Sequence, residues 1–244
     1  MNSRYFCLFG VLLATTSLTA TAQTYPHSSL WLRVTPNYKL SSRWSILGDL
    51  HYRRQSSPEH GLIYPLAAPL LGAGRLAVIY NTRHWQYFLF PVVYFSSYPL
   101  LGTAADLTRP PATEWRPTAL AEWTTTPTKK TTLRLRVGYE YRIFTAPAPE
   151  LRGRVRFRAL WRLATGQRTY AQCWNETLLA APPNAPNLNA LFDLNRTNLA
   201  VGYAVSNTTT LEMGYQYTHR QRRSLVEFDQ EHALTLTWFL RLNP

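Results

Sequence analysis

Cysteine is nearly absent from this chain. Of two in 244 residues, Cys7 lies in an N-terminal apolar run and only Cys173 remains beyond it. That excludes a disulfide framework, and Cys173 reads as a small apolar residue on a strand face. Acids are scarce too: 13 Asp plus Glu stand against 26 Lys plus Arg, a formal net charge of +13. Such a balance points to negatively charged partners: nucleic acid, anionic lipid or anionic solutes. No run of about 20 apolar residues follows the N-terminal segment, so no helix is expected to cross a bilayer. Convincing 3.6-residue periodicity is missing as well, which argues against helices after the first segment. H-E-x-x-H, CxxC, a Gly-rich phosphate loop and G-x-S-x-G are all absent, so neither a metal nor a cofactor is expected.

What is present begins with a secretory leader. Arg4 supplies the positive charge, 5–14 the short apolar stretch, and Ala20-Thr21-Ala22 an A-x-A cleavage site. Residues 1–22 are expected to be removed, and residues 23–244 to form one domain.

The rest reads as strands. Alternation is cleanest at 133–163. There Arg134, Arg136, Glu140 and Arg142 alternate with Leu133, Leu135, Val137, Tyr139, Tyr141 and Ile143. Past a break at Ala146-Pro147-Ala148-Pro149, Arg152, Arg154, Arg156, Arg158 and Arg162 alternate with Val155, Phe157, Ala159, Trp161 and Leu163. Side chains on a strand point alternately to two faces, so each run has a charged face and an apolar, aromatic one. Similar stretches fall at 30–38, 44–53, 75–80, 85–95, 114–123, 169–179, 192–205, 211–220 and 232–242. Pro117 lies inside one of them and predicts a bulge or a break, because proline donates no ladder hydrogen bond.

Most stretches are near the ~10 residues that cross a hydrocarbon core at a tilt. Long connections follow the second, fourth, eighth and tenth, and short turns follow the first, third, seventh and ninth. The expected fold is therefore all-β: an antiparallel transmembrane β-barrel of about 10–12 strands with short periplasmic turns and longer extracellular loops. Eleven stretches are read directly. Because single-chain bacterial barrels are usually even-numbered, ten or twelve is expected, with 62–71 as a place for a hidden strand.

In such a barrel the apolar faces meet lipid. Trp44, Tyr52, Trp85, Tyr139, Tyr141, Trp161, Tyr215 and Trp238 are the candidates for interfacial girdles. The arginine faces then line the lumen, where Asp49, Glu114, Glu122, Glu140, Glu176 and Glu212 are the acids available. An ion-pair network is expected among these acids and Arg53, Arg116, Arg134, Arg136, Arg142, Arg152, Arg154, Arg156, Arg158, Arg162, Arg196 and Arg220. Ten to twelve strands with so many arginines predict a narrow or plugged lumen. Arginines and aromatics fall on opposite faces, unlike the interleaved surfaces that bind nucleic acid, so nucleic acid is not an expected partner.

The order and spacing of several elements resemble an uncharacterised barrel family of Gram-negative bacteria, domain of unknown function 2490. They are Glu114-Trp-Arg116, Leu133-Arg-Leu-Arg136, Glu140-Tyr-Arg142, Arg154-Val-Arg-Phe-Arg158, Asn175-Glu176, Phe192-Asp-Leu-Asn-Arg196, Gly202-Tyr203, Glu212-Met-Gly-Tyr215 and His232. Before Glu114 the likeness is limited to Trp31 and Arg43-Trp44. The resemblance implies an outer-membrane location and no activity.

Expected partners are outer-membrane lipids, the barrel-assembly machinery during biogenesis, and small anionic solutes. The reading is a barrel whose lumen is either a structural ion-pair network or an anion-attracting pore. Two alternatives stand beside it. One is a lipid-modifying enzyme, with His51, His84 and His232 as the histidines to test. The other is a soluble secreted β-sandwich that binds a ligand.

Overall fold

The computed structural model describes residues 23–183 and 190–242. The expected leader, with Cys7 and the Ala20-Thr21-Ala22 site, lies outside the described residues. The ordered elements are β1 (Gln23–Lys39), β2 (Trp44–Gln55), β3 (Ala68–Asn81), β4 (Trp85–Ser97), β5 (Ala112–Trp115), β6 (Thr118–Thr128), β7 (Thr131–Ala146), β8 (Glu150–Ala164), β9 (Thr169–Ala181), β10 (Phe192–Ala204), β11 (Thr209–Gln221) and β12 (Glu227–Leu242). A short 3-10 turn, Ala104–Thr108, sits in the connection between β4 and β5.

These strands form one closed sheet, a transmembrane β-barrel. It has eleven staves, because β5 and β6 are two halves of one. Both pair with β4 on one side and β7 on the other. The break is at Arg116-Pro117, where the ring of Pro117 removes a ladder donor. Around it, the Arg116 amide donates to Val93 and the Tyr141 amide to Pro117, keeping both neighbours attached.

An odd stave number has a topological consequence. Each consecutive pair of staves is antiparallel, so the first and last must run the same way. β1 and β12 close the barrel in parallel, in register from Gln23↔Glu227 to Tyr38↔Leu242. This corrects the expectation of an even, wholly antiparallel barrel. The connection that might have hidden a strand, 56–67, contains only a bridge between Ser57 and Gly61. The apolar residues that follow it belong to β3, which starts at Ala68.

Loop lengths separate the two rims. The two longest described connections, 56–67 and 98–111, share one rim with the shorter 147–149 and 222–226 and with the join of β9 to β10; 40–43, 82–84, 129–130, 165–168 and 205–208 share the other.

Alternation sorts the faces. On β7, Leu135 is 53 % exposed and Val137 44 %, while Glu140 is 2 % exposed. Leu199 and Val201 on β10, Met213 on β11 and Leu234 on β12 are likewise exposed on the outside. A continuous outward apolar belt of this kind is what a bilayer covers, and a water-soluble protein does not carry it. The sandwich alternative is therefore set aside.

All eight girdle candidates face outward, and they divide by type. Trp44, Trp85, Trp161 and Trp238 lie toward the short-turn rim; Tyr52, Tyr139 and Tyr141 lie toward the long-loop rim. Tyr215 is a correction, since it falls midway along β11, where its hydroxyl meets His232 Nδ1 at 2.6 Å.

The inside is not uniformly polar. β4 is apolar on both faces, and its inward residues Phe88, Phe90, Val93 and Phe95 pack with Ile79, Ala73, Ala77 and Leu120 into a buried cluster. The lumen thus has one apolar wall, over β3, β4 and β6, and a charged wall over β7 to β10.

Candidate functional site

The candidate site is the lumen, and strand register builds it. Adjacent strands place opposite charges directly across from one another: Glu140↔Arg154, Glu122↔Arg136, Glu176↔Arg158 and Glu176↔Arg196. Opposite-charge pairs across strands are favourable. Here each carboxylate is also shared. Glu140 accepts from Arg156 Nη1 at 2.5 Å and from Arg154, and lies 3.8 Å from Arg116. Glu176 accepts from Arg156 at 2.7 Å and Arg196 Nε at 2.7 Å. Glu122 holds Arg136 at 2.6 Å, with Arg158 at 3.3 Å and Arg134 at 3.6 Å. Glu114 holds Arg142 at 2.9 Å and also Arg116.

The opposite wall repeats the device. Asp49 accepts from Arg33 Nη2 at 2.6 Å and from Arg75, and meets His51 Nε2 at 2.7 Å. Back on the β7 to β10 wall, Asp193 accepts from Arg154 Nη1 at 2.6 Å. Six carboxylates thus serve ten arginines. Burying a charge is costly unless it is paired, so this sharing gives every one of the six acids an arginine and leaves the lumen net positive. Guanidiniums also lie over the apolar wall: Arg116 is 3.9 Å from the Phe95 ring centre and Arg136 5.0 Å from that of Phe88. Such stacking fixes the arginines sideways.

A cavity of about 1350 Å³ runs through this lining. It is bordered by Lys39, Ser41 and Arg241 at the short-turn rim and by Tyr98, Pro99 and Ser224 at the long-loop rim. At the latter rim the loop 98–111 is tied down. Gln55 receives the Leu101 amide at 3.1 Å and donates to the Pro99 carbonyl at 2.7 Å. Asp106, fully buried, accepts from the Thr103 amide and hydroxyl at 2.9 Å each and from Arg222 at 3.2 Å, and forms an ion pair with Arg109 at 3.0 Å. Burial alone would raise the Asp106 carboxyl; the Thr103 donors and the two arginines outweigh it and hold it below the ordinary aspartate value.

A family model described as a protein of unknown function, DUF2490, matches residues 28–229. The chain belongs to that family. Among solved structures, a NanC porin in a rhombohedral crystal form is similar over 88 % of this chain and 98 % of that one, with 8 % identity and a TM-score of 0.50. At that identity the likeness is one of fold. No curated protein matches.

Within this porin-like barrel, several sequence-predicted residues do not join the ion-pair network. Arg53 has no carboxylate within 4.0 Å among the described residues; its guanidinium lies 3.4 Å over the Trp31 ring. Arg162 donates to the neutral Gln172 Oε1 at 3.0 and 2.7 Å. Glu212 accepts from the Tyr170 hydroxyl at 2.7 Å in place of an arginine. No carboxylate lies within ion-pair distance of Arg220 among the described residues, and Arg152 pairs with Glu150 at 2.7 Å where β8 begins, at the long-loop rim. Placement explains the pattern: the shared carboxylates sit among the densest arginine rows, whereas Glu212 is taken by Tyr170 and Glu231 by Ser29 and Trp31, so Arg53 stacks on a ring and Arg162 bonds an amide.

Arg33, Arg75 and Asp193 belong to the network and were not singled out from sequence. Arg75 is legible in hindsight, because it lies directly opposite Asp49 in register. Asp193 is not. A register shift between Phe192 and Leu194 breaks the alternation on β10 and re-aims the Asp193 side chain.

The histidines divide by location. His51 is bound to Asp49, His84 is exposed on a short turn, and His232 faces outward beside Tyr215. None of them is hydrogen-bonded to a serine among the described residues. Cys173 is a free, half-buried thiol on the outer face between Trp161 and Leu199. Among the described residues, no cluster of His, Cys, Asp and Glu has the arrangement to hold a metal ion.

Proposed function

We propose that this protein is an outer-membrane channel that attracts and passes small anions. One observation carries the reading: a single cavity is bordered by residues of both rims, and its charged lining has more arginines than carboxylates. A closed structural ladder needs charge balance but no continuous space along it. The leader read from sequence and the porin-like fold support placement in the outer membrane, with the short-turn rim toward the periplasm. Outer-membrane lipids would cover the belt, and the barrel-assembly machinery would insert the chain.

In this reading the positive wall raises the local anion concentration and repels cations, while shared carboxylates keep the arginines in place. A narrow lumen makes that field count, since the facing walls supply it from both sides. The test is a reversal potential in a planar bilayer under a KCl gradient. Anion selectivity is expected, reduced in Arg134→Gln and Arg158→Gln variants. Cation selectivity, or no current from correctly folded protein, would overturn the channel.

A further inference from the structure

We infer that the periplasm-side half of the lumen binds organic anions with an apolar body, a carboxylate head on Arg134 and Arg162 and a hydrocarbon along Leu47, Ile79, Phe88 and Leu120. All six residues border the one cavity.

The head site rests on two arginines that the network leaves open. Arg162 has no carboxylate partner among the described residues: it donates to the neutral amide oxygen of Gln172, and its guanidinium lies 4.0 Å from the Tyr170 ring centre. The nearest carboxylate to Arg134 is Glu122 at 3.6 Å, one that already holds Arg136 and Arg158 more closely, and the Arg134 side chain is one-third exposed to the lumen. The two arginines lie on neighbouring strands, Arg162 opposite Thr132 and Arg134 one inward position along. Two donors of this kind, side by side, suit a carboxylate.

The apolar site is the end of the inward cluster nearest the same rim. Ile79 pairs with Phe88, and Phe88 with Leu120, across β3, β4 and β6, with Leu47 packed against them. Leu120 is four residues along β6 from Thr124, which is opposite Arg134. At ~3.3 Å per residue that offset is about 13 Å, the reach of a medium-length hydrocarbon tail. The apolar wall seats Arg116 and Arg136, and where it ends beside guanidiniums without a close carboxylate it offers a carboxylate with a hydrocarbon body a surface for each part.

This rests on the channel reading for the route by which a solute reaches the site, and its test is binding, not current. Protein in dodecyl maltoside micelles is titrated calorimetrically with octanoate and with gluconate, protein-free micelles being subtracted. Each probe has one carboxylate, and only octanoate has an apolar tail. Saturable binding is expected, with octanoate about tenfold or more tighter, since even a few buried methylenes supply that ratio. Arg162→Gln should weaken both probes by a similar factor. Leu47→Asn, at a partly exposed position, should remove the preference for octanoate; Phe88→Ser serves as a second variant, each checked for heat-modifiable gel migration. Equal affinities, heat that never saturates, or octanoate binding indifferent to Arg162→Gln would overturn the inference. Saturable octanoate binding without bilayer current would uphold the site and sink the channel; anion current without a preference for octanoate would do the reverse.

Discussion

Arg156 joins two carboxylates, and no other group among the described residues bonds to both: its Nη1 is 2.5 Å from Glu140 and its Nη2 is 2.7 Å from Glu176. Glu140 is 2 % exposed and Glu176 1 %. Through Arg156 the Arg154–Glu140 group and the Arg196–Glu176 group become one network across β7, β8, β9 and β10. Removing Arg156 strands two buried carboxylates, each short of one donor. Arg156→Met should cost about 3–5 kcal/mol, the usual penalty for breaking a buried charge group from one side. Urea unfolding of vesicle-inserted protein, followed by loss of heat-modifiable migration, measures it. Arg156→Lys keeps the charge but reaches one carboxylate, so an intermediate loss is expected.

Face assignment can be checked at two adjacent positions. Leu135 is on the outer face of β7 and Arg136 on the inner one. Leu135→Arg puts a guanidinium against lipid and should cost about 2–4 kcal/mol if the position is near the bilayer midplane. The folded fraction recovered in vesicles reports it. Little loss would mean that β7 is turned the other way or that Leu135 lies at the interface.

Much of this arrangement was legible from alternation alone. On β7 and β8 most alternate positions are charged, with Gly138 and Leu160 as interruptions, which fixes both faces without any knowledge of neighbours. Pro117 marked the broken stave, because a missing donor is a local property. Other features depend on pairings that no local pattern encodes. Closure of β1 on β12 is parallel only because the stave count is odd, and nothing within either strand says so. β4 is apolar on both faces, so it has no alternation from which an inward wall could be read. The aim of Asp193 depends on a register shift. The count of carboxylates against arginines was readable, but which arginines would go without was not: that depends on three-dimensional sharing around Glu122, Glu140 and Glu176.

The loop over the long-loop rim should respond to acid. The Asp106 carboxyl is held below the ordinary aspartate value of about 3.9, so its bonds to Thr103, Arg109 and Arg222 add stability that is complete above that pH and lost as pH falls through the depressed value. Hydrogen exchange of amides 103–109, corrected for intrinsic rates, should show protection at neutral pH that disappears only in strong acid. Asp106→Asn should lose about 1.5–3 kcal/mol of that protection at neutral pH, the range for hydrogen bonds to a charged group. Equal protection in the variant would mean that Gln55 alone holds the loop.

Gly202 shows how the lumen seats its aromatic side chains. The Tyr170 ring lies so close to Gly202 that a Cβ at this position would overlap it, and the Tyr170 hydroxyl donates to Glu212 at 2.7 Å. The same ring lies 4.0 Å from the Arg162 guanidinium. Glycine is therefore required here for space and not for backbone freedom. Gly202→Val would push the ring off, separating Tyr170 from Glu212 and exposing Arg162. Overpacking should cost about 1–3 kcal/mol in urea unfolding. Freed Glu212 is the more telling consequence. Its carboxylate would turn to the nearest open guanidinium, and Arg162 lies under the same ring. The variant should then show reduced anion selectivity in the bilayer without losing current, because one of the lumen's cations has been neutralised in place. A variant that keeps full selectivity would mean that Glu212 stays where Tyr170 left it.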